Sequence, residues 1–312
     1  MGYLHSQTHD HKRWCNMCIN ILCTSIMSLI LKQINNHVVN AVPLDAVDVR
    51  PVKGCDICAE PFANMFLVAK KRSGKTSACF KLLKECTGKD TQLIVFCSTL
   101  YKDKNWIAIR KHFMRKGISF TGYTDIFEDG VNHLGDLLAE LNAVAKVQEE
   151  DEGDEPEPID HCDKLLEMLG VKTKQEPDEP KKKEKKDKCL APDYIIVFDD
   201  LSHQLRNPII ESILKKNRHY MVKIIINSQW VNDLLPSQRK MMDLWMIFRG
   251  MSQDKLKEIW RDADISFSFE LFWKIYKKST KKPYSFLYID TSDGSMRRNF
   301  DTQIILKQNE QE

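Results

Sequence analysis

The sequence predicts an α/β fold built on a mostly parallel sheet with helices on both faces. Three observations predict it. Short continuous apolar runs, such as Met65–Val68, Thr91–Cys97 and Tyr194–Phe198, suit strands buried on both faces. Segments with helical spacing alternate with them along the chain. Polar and charged residues that carry chemistry cluster where these runs end, at the strand ends where open α/β sheets place their ligands.

The stretch Asn64–Phe80, NMFLVAKKRSGKTSACF, organises the rest. Met65–Val68 reads as a strand, Ala69–Gly74 as a short loop and Ser77–Cys86 as a helix. This is the setting in which G-x-x-x-x-G-K-[ST] means a phosphate-binding loop. The backbone N–H groups of Ala69, Arg72, Ser73, Gly74, Lys75, Thr76 and Ser77 would cradle an anion at a helix N-terminus. Lys75 would reach the outer phosphates, and the Thr76 hydroxyl would ligate Mg²⁺ beside a bound ATP. Ala69 stands where the first glycine of the motif belongs, and alanine is the smallest replacement.

Taken in order, Trp106–Lys116 is a basic amphipathic helix stopped by Gly117, Ile118–Tyr123 is a strand candidate, and Val131–Val147 is a helix. Glu149–Lys188 begins acidic, ends basic and carries several prolines, so it reads as a disordered insertion at 149–190. Its run Lys181–Lys188 reads either as a nuclear localisation signal or as a solvated charge run. Tyr194–Phe198 then leads into Asp199-Asp200, a buried strand ending in two acids. Asp199 would hold Mg²⁺ and Asp200 would orient or deprotonate the attacking water. Asn207–Lys216 is a helix capped by Asn207 with Pro208 in its first turn. Met221–Ile226 is a strand ending in Asn227-Ser228-Gln229, where Gln229 or Asn227 would contact the γ-phosphate or the water. Pro236–Asp243 is a short helix containing Arg239, and Leu244–Phe248 a further strand. Ser252–Ala263 and Phe269–Lys278 have helical spacing, and Tyr284–Ile289 is a last strand or hairpin arm.

The remaining organisation is 1–54 as an N-terminal extension, 55–306 as the folded domain and 307–312 as a polar tail. At 312 residues the chain can bury a full core, and its ten cysteines without a regular framework suit a reducing compartment. The net charge of +3 hides blocky local charge. Trp14–Leu31 is apolar but interrupted by polar residues, a poor membrane span. Met1–Ser6 fits a loose myristoylation pattern. Cys15, Cys18, Cys55 and Cys58 have the pair spacing of a zinc site, though the gap between pairs is long. Basic residues of Arg110–Lys116 and Lys274–Lys282 suit either nucleic acid or solvent.

A strand–helix unit, Thr91–Lys116, lies between the phosphate loop and the paired acids. That fits a P-loop NTPase of the additional-strand, catalytic-acid class. Within it the sequence resembles the FtsK–HerA type DNA-packaging ATPases of large DNA viruses, virophages and Maverick/Polinton elements. The matching residues are Ser73-Gly74-Lys75-Thr76, Asp199-Asp200, Asn217-Arg218-His219, Ile224–Ile226 with Ser228-Gln229, and Leu235-Pro236 with Arg239 ahead of Trp245–Phe248. The resemblance implies a homo-oligomeric ring that drives double-stranded DNA into a capsid or portal-like assembly. It implies work in a host nucleus, a cytoplasmic virus factory or the virion. By position it implies Lys75 and Thr76 as the Walker A pair, Asp199 as the metal acid, Asp200 as the catalytic acid, Gln229 as the sensor and Arg239 as an arginine finger. Asp200 stands where many relatives have Glu, and its shorter reach would slow hydrolysis. The alternatives are a nucleotide-binding switch or scaffold that barely hydrolyses, and a helicase of a related P-loop class. A small-molecule kinase would need a lid and an acceptor site, and the sequence shows neither.

Overall fold

A computed structural model describes residues 50–152 and 189–306. The apolar stretch Trp14–Leu31, the acylation pattern, Cys15 and Cys18, the basic run Lys181–Lys188 and the tail 307–312 all lie outside the described residues. Those described belong to one compact unit, Asp48–Glu312. The expected boundary at residue 55 falls inside this unit, because Val52 bridges Leu190 and the Leu190 N–H donates to the Pro51 carbonyl at 2.9 Å.

The elements follow one another as β1 (Asn64–Val68), α1 (Lys75–Cys86), β2 (Gln92–Cys97), α2 (Lys104–Arg115) and β3 (Phe120–Tyr123). A small hairpin, β4 (Phe127–Glu128) and β5 (Val131–Asn132), precedes α3 (His133–Glu152). Then come β6 (Tyr194–Asp199), α4 (Pro208–Lys216), β7 (Val222–Ser228), α5 (Pro236–Arg239) and β8 (Leu244–Phe248). The chain continues with α6 (Gln253–Asp262), α7 (Phe269–Ser279), β9 (Phe286–Asp290), β10 (Met296–Arg298) and β11 (Thr302–Gln303).

The strands form one sheet in the order β11-β10-β9-β8-β1-β7-β6-β2-β3. The six from β3 to β8 are parallel, and β9 to β11 extend the sheet antiparallel. The predicted architecture is therefore the one found. Every residue of β1, β6, β7 and β8 is buried, as expected of strands covered on both faces. α1 and α2 cover one face through Ala78, Leu82, Trp106 and Phe113. Helices α3, α4, α6 and α7 cover the other through Leu137, Ile213, Ile259 and Phe272.

Caps set several boundaries. The Asp103 side chain accepts from Asn105 N–H and starts α2 two residues before the expected Trp106. Asn207 does the same for α4 through Ile209 N–H. Two expectations change. Val131 belongs to the hairpin, and α3 starts at His133, where Asn132 accepts from Gly135 N–H. That helix also runs on to Glu152, into the acidic start of the expected insertion.

The extra strand–helix unit takes an unexpected place. In the sequence, β2 separates the phosphate loop from the acids. In the sheet, β7 lies between β1 and β6, and β2 lies outside β6. The chain leaves β1 toward one edge and returns on its other side as β8. The switch in direction falls at β1, and open α/β sheets place their ligands at the C-terminal end of such a strand.

Candidate nucleotide site

Register brings the site together. Cys97 of β2, Asp199 of β6, Asn227 of β7 and Leu67 of β1 are successive partners across four strands. Partners in register share a face, and this face is the one under α1 and α2.

The loop leaves β1 at Ala69, which is fully buried and whose N–H donates to the Ser228 carbonyl at 3.0 Å. Alanine adds only a methyl group at this buried position. Lys70, Lys71 and Arg72 are exposed, and Arg72 adopts a left-handed backbone with φ 62°. Ser73 Oγ donates to the Lys70 carbonyl at 2.6 Å and closes the turn. Gly74 has φ 92° and caps α1, a conformation that glycine takes without strain. Thr76 and Ser77 follow Lys75 in the first turn of α1, where free N–H groups and the helix dipole favour an anion.

Lys75 reaches back over the sheet to the end of β6. Its Nζ lies 2.8 Å from Asp200 Oδ1 and 3.2 Å from Asp199 Oδ1. Burial disfavours its charge, yet the attraction of Asp199 and Asp200 carries its pKa above the ordinary lysine value. Burial pushes the Asp199 carboxyl above the ordinary range, with Lys75 opposing and Asp200 adding to the rise.

Asp199 is 4% exposed and is held from a second side, because Trp106 Nε1 donates to its Oδ2 at 2.7 Å. Asp200 adopts φ 53°, a left-handed turn that aspartate tolerates better than most residues. Gln229 Nε2 donates to Asp200 Oδ1 at 3.2 Å. Asn227 is fully buried, and neither atom of its amide finds a hydrogen-bond partner among the described residues. Asp199 Oδ1 is also without a hydrogen bond of good geometry. A buried amide with neither atom paired is costly, and here it lies beside the Lys75–Asp199 pair.

Lys75, Asp199, Asp200 and Gln229 thus meet at one rim, with Thr76 and Ser77 beside them. Arg239 does not. It is 7% exposed, its Nε pairs with Asp262 Oδ2 at 2.6 Å, and its Nη1 donates to Asn232 Oδ1 and the Leu234 carbonyl at 3.2 Å each. Within its own subunit this guanidinium is therefore held by Asp262, Asn232 and the Leu234 carbonyl, away from the Lys75 rim. Trp106 is the residue that sequence reasoning missed as part of the site. A large aromatic in the first turn of the helix that follows a strand ending at this rim was the available signal.

The loop, the strand order and the opposed lysine and acids define the P-loop NTPase arrangement. Comparisons with known proteins give weak likenesses. No protein-family model matches the chain. The uncharacterized protein 075L of Invertebrate iridescent virus 6 is 34% identical over 83 residues, 26% of this chain and 32% of that protein. The chain thus spans about a third of the length of this curated relative. Among solved structures, the genome packaging NTPase B204 from Sulfolobus turreted icosahedral virus 2, in complex with AMP, aligns over 79% of this chain and 100% of its own. Its identity is 19% and its TM-score 0.44. The cytoplasmic domain of the Thermomonospora curvata Type VII secretion ATPase EccC covers 79% and 26%, with 12% identity and a TM-score of 0.44. Among the described residues no helix is long and apolar enough to cross a membrane.

Proposed function

We propose that the chain is an ATP hydrolase that moves double-stranded DNA into a virus-like capsid, acting as a homo-oligomeric ring. One observation carries the hydrolase half. Lys75 at the start of α1 lies within 3.2 Å of two acids 124 and 125 residues away at the end of β6.

The residues present fit Mg²⁺ with ATP. The Thr76 hydroxyl and the Asp199 carboxylate are hard oxygen donors, and the buried Asn227 amide beside them holds unused hydrogen-bonding capacity. A bound Mg²⁺ ion would supply positive charge to offset that of the phosphates. Loop N–H groups hold the phosphates, and Lys75, turning from the acids, compensates the charge that develops on the transferred group. Trp106 keeps Asp199 in one orientation. Asp200, steadied by Gln229, orients the attacking water and takes its proton. The DNA-packaging half, with its capsid or portal partner and a place in the nucleus, virus factory or virion, rests on the sequence resemblance.

The test is ATP turnover by the full chain with and without duplex DNA, together with oligomer mass. DNA-stimulated turnover in the wild type, abolished in Lys75→Ala, is expected. Equal turnover in that variant overturns the reading. A nucleotide switch is the second reading, because Asp200 Oδ1 is engaged by both Lys75 and Gln229. Single-turnover phosphate release separates the two, rapid release with DNA excluding the switch. Strand separation on a forked duplex would instead indicate a helicase.

A further inference from the structure

Tyr284 lies just before β9. That strand runs antiparallel to β8, pairing Phe286 with Phe248, so Tyr284 sits at the same rim as the phosphate loop. A Cβ built on Gly74 would meet Tyr284 Cδ1 at 3.3 Å and Tyr284 Cβ at 3.6 Å, so the tyrosine flanks the loop directly. Yet the residue is 71% exposed, whereas Phe286 and Tyr288 beyond it are buried. Its backbone is left-handed, with φ 61°. A bulky side chain rarely takes that conformation, and strain of this kind gathers at ligand-binding sites. An aromatic ring held exposed on a strained backbone against the phosphate loop is not explained by packing.

The direction of a bound nucleotide follows from the two flanks of the loop. Asp199, Asp200 and Gln229 stand on the β6 and β7 side, where a terminal phosphate would react. The opposite flank, toward β8 and β9, is formed by Tyr284 and by Gly250, which lies against Lys70. The other recess beside the loop, about 620 Å³ between α1 and α2, is lined by Lys111, His112, Arg115 and Lys116. Its one large ring, Phe80, is already packed edge-on against His112 and Phe113.

We propose that Tyr284 is the platform on which the base of the bound nucleoside triphosphate stacks. This rests on the nucleotide site proposed above. Stacking reads the size of the π-face, so purine triphosphates bind ahead of pyrimidine triphosphates, and adenine and guanine are separated little.

The test measures displacement of a fluorescent ATP analogue by ATP, CTP and inorganic tripolyphosphate, using the full chain. Tyr284→Gly removes the ring and suits the left-handed backbone, so folding is not at stake. It should weaken ATP on the order of tenfold, CTP less, and tripolyphosphate not at all. Tyr284→Phe should match the wild type. Equal ATP affinity in Tyr284→Gly overturns the inference, and so does a parallel loss of ATP and tripolyphosphate. A wild type that binds neither overturns the nucleotide site itself, and the platform with it.

Discussion

Trp106 Nε1 and Asp199 Oδ2 form a 2.7 Å hydrogen bond between residues 93 positions apart. It fixes the plane of a buried carboxylate that Lys75 approaches from the other side. Trp106→Phe deletes the donor and keeps an aromatic ring, though a smaller one, in the same buried place. Outer-shell partners of metal-binding groups are typically worth one to two decades in metal affinity. We expect the magnesium concentration for half-maximal turnover to rise about tenfold. A titration of ATPase rate against Mg²⁺ checks this, and an unchanged midpoint would leave the indole with a packing role only.

The pair of Lys75 and Asp199 is buried, with side chains 10% and 5% exposed. Removing one partner strands the other's charge, at a typical cost of about 3 kcal/mol. Lys75→Met should therefore lower unfolding free energy by that order. Adding Asp199→Asn should restore part of it, since the uncompensated charge is then gone. Urea denaturation of the two single variants and the double variant gives the coupling directly. Simple additivity would contradict it.

Arg239 and Asp262 are tied at 2.6 Å between α5 and α6. Arg239→Ala and Asp262→Ala should each destabilise by roughly 3 kcal/mol. Both should lower the melting temperature together with activity. A finger acting across subunits would behave differently, leaving the melting temperature in place while hydrolysis disappeared. Thermal denaturation beside the rate assay decides it.

Thiol reactivity should divide by depth. Cys55 is exposed, whereas Cys58, Cys79, Cys86 and Cys97 are buried. Burial pushes the Cys58 thiol up to about 11, partly opposed by Lys223, and the Cys79 thiol up to about 12, with Asp199 adding to the rise. A thiol near 12 is only about one part in ten thousand thiolate at pH 8. Each step of one pH unit upward raises that fraction about tenfold. Alkylation mapped by mass spectrometry at pH 8 should therefore label Cys55 quickly and Cys79 only after denaturation. Rapid labelling of Cys79 in the folded protein would contradict its placement on the buried face of α1.

The central strands were legible because both faces are covered. A run such as Tyr194–Phe198 has no polar alternation to confuse it, and Leu244–Phe248 was bounded to the residue. The loop and the two acids were legible because their chemistry needs particular residues at fixed spacing. What escaped were features set by distant partners. Met296–Arg298 and Thr302–Gln303 are too short and polar to carry a period, and they form because β9 offers an edge to the first and the first an edge to the second. Arg239 reads in the sequence as a finger, and its tie to Asp262 was hidden because α6 brings that partner in from 23 residues away. Tyr284 looks in the sequence like the start of a strand, and nothing local reveals that it flanks Gly74.

The bridge that Lys75 makes to both aspartates also bears on how the chain is made. Two bare carboxylates crowded at a sheet rim would repel each other and hinder compaction until a small molecule arrived. Here the same lysine stands in beforehand, so the polypeptide can reach its final shape unaided. On the proposed reading, arrival of magnesium with its nucleotide would then be an exchange of one positive group for another.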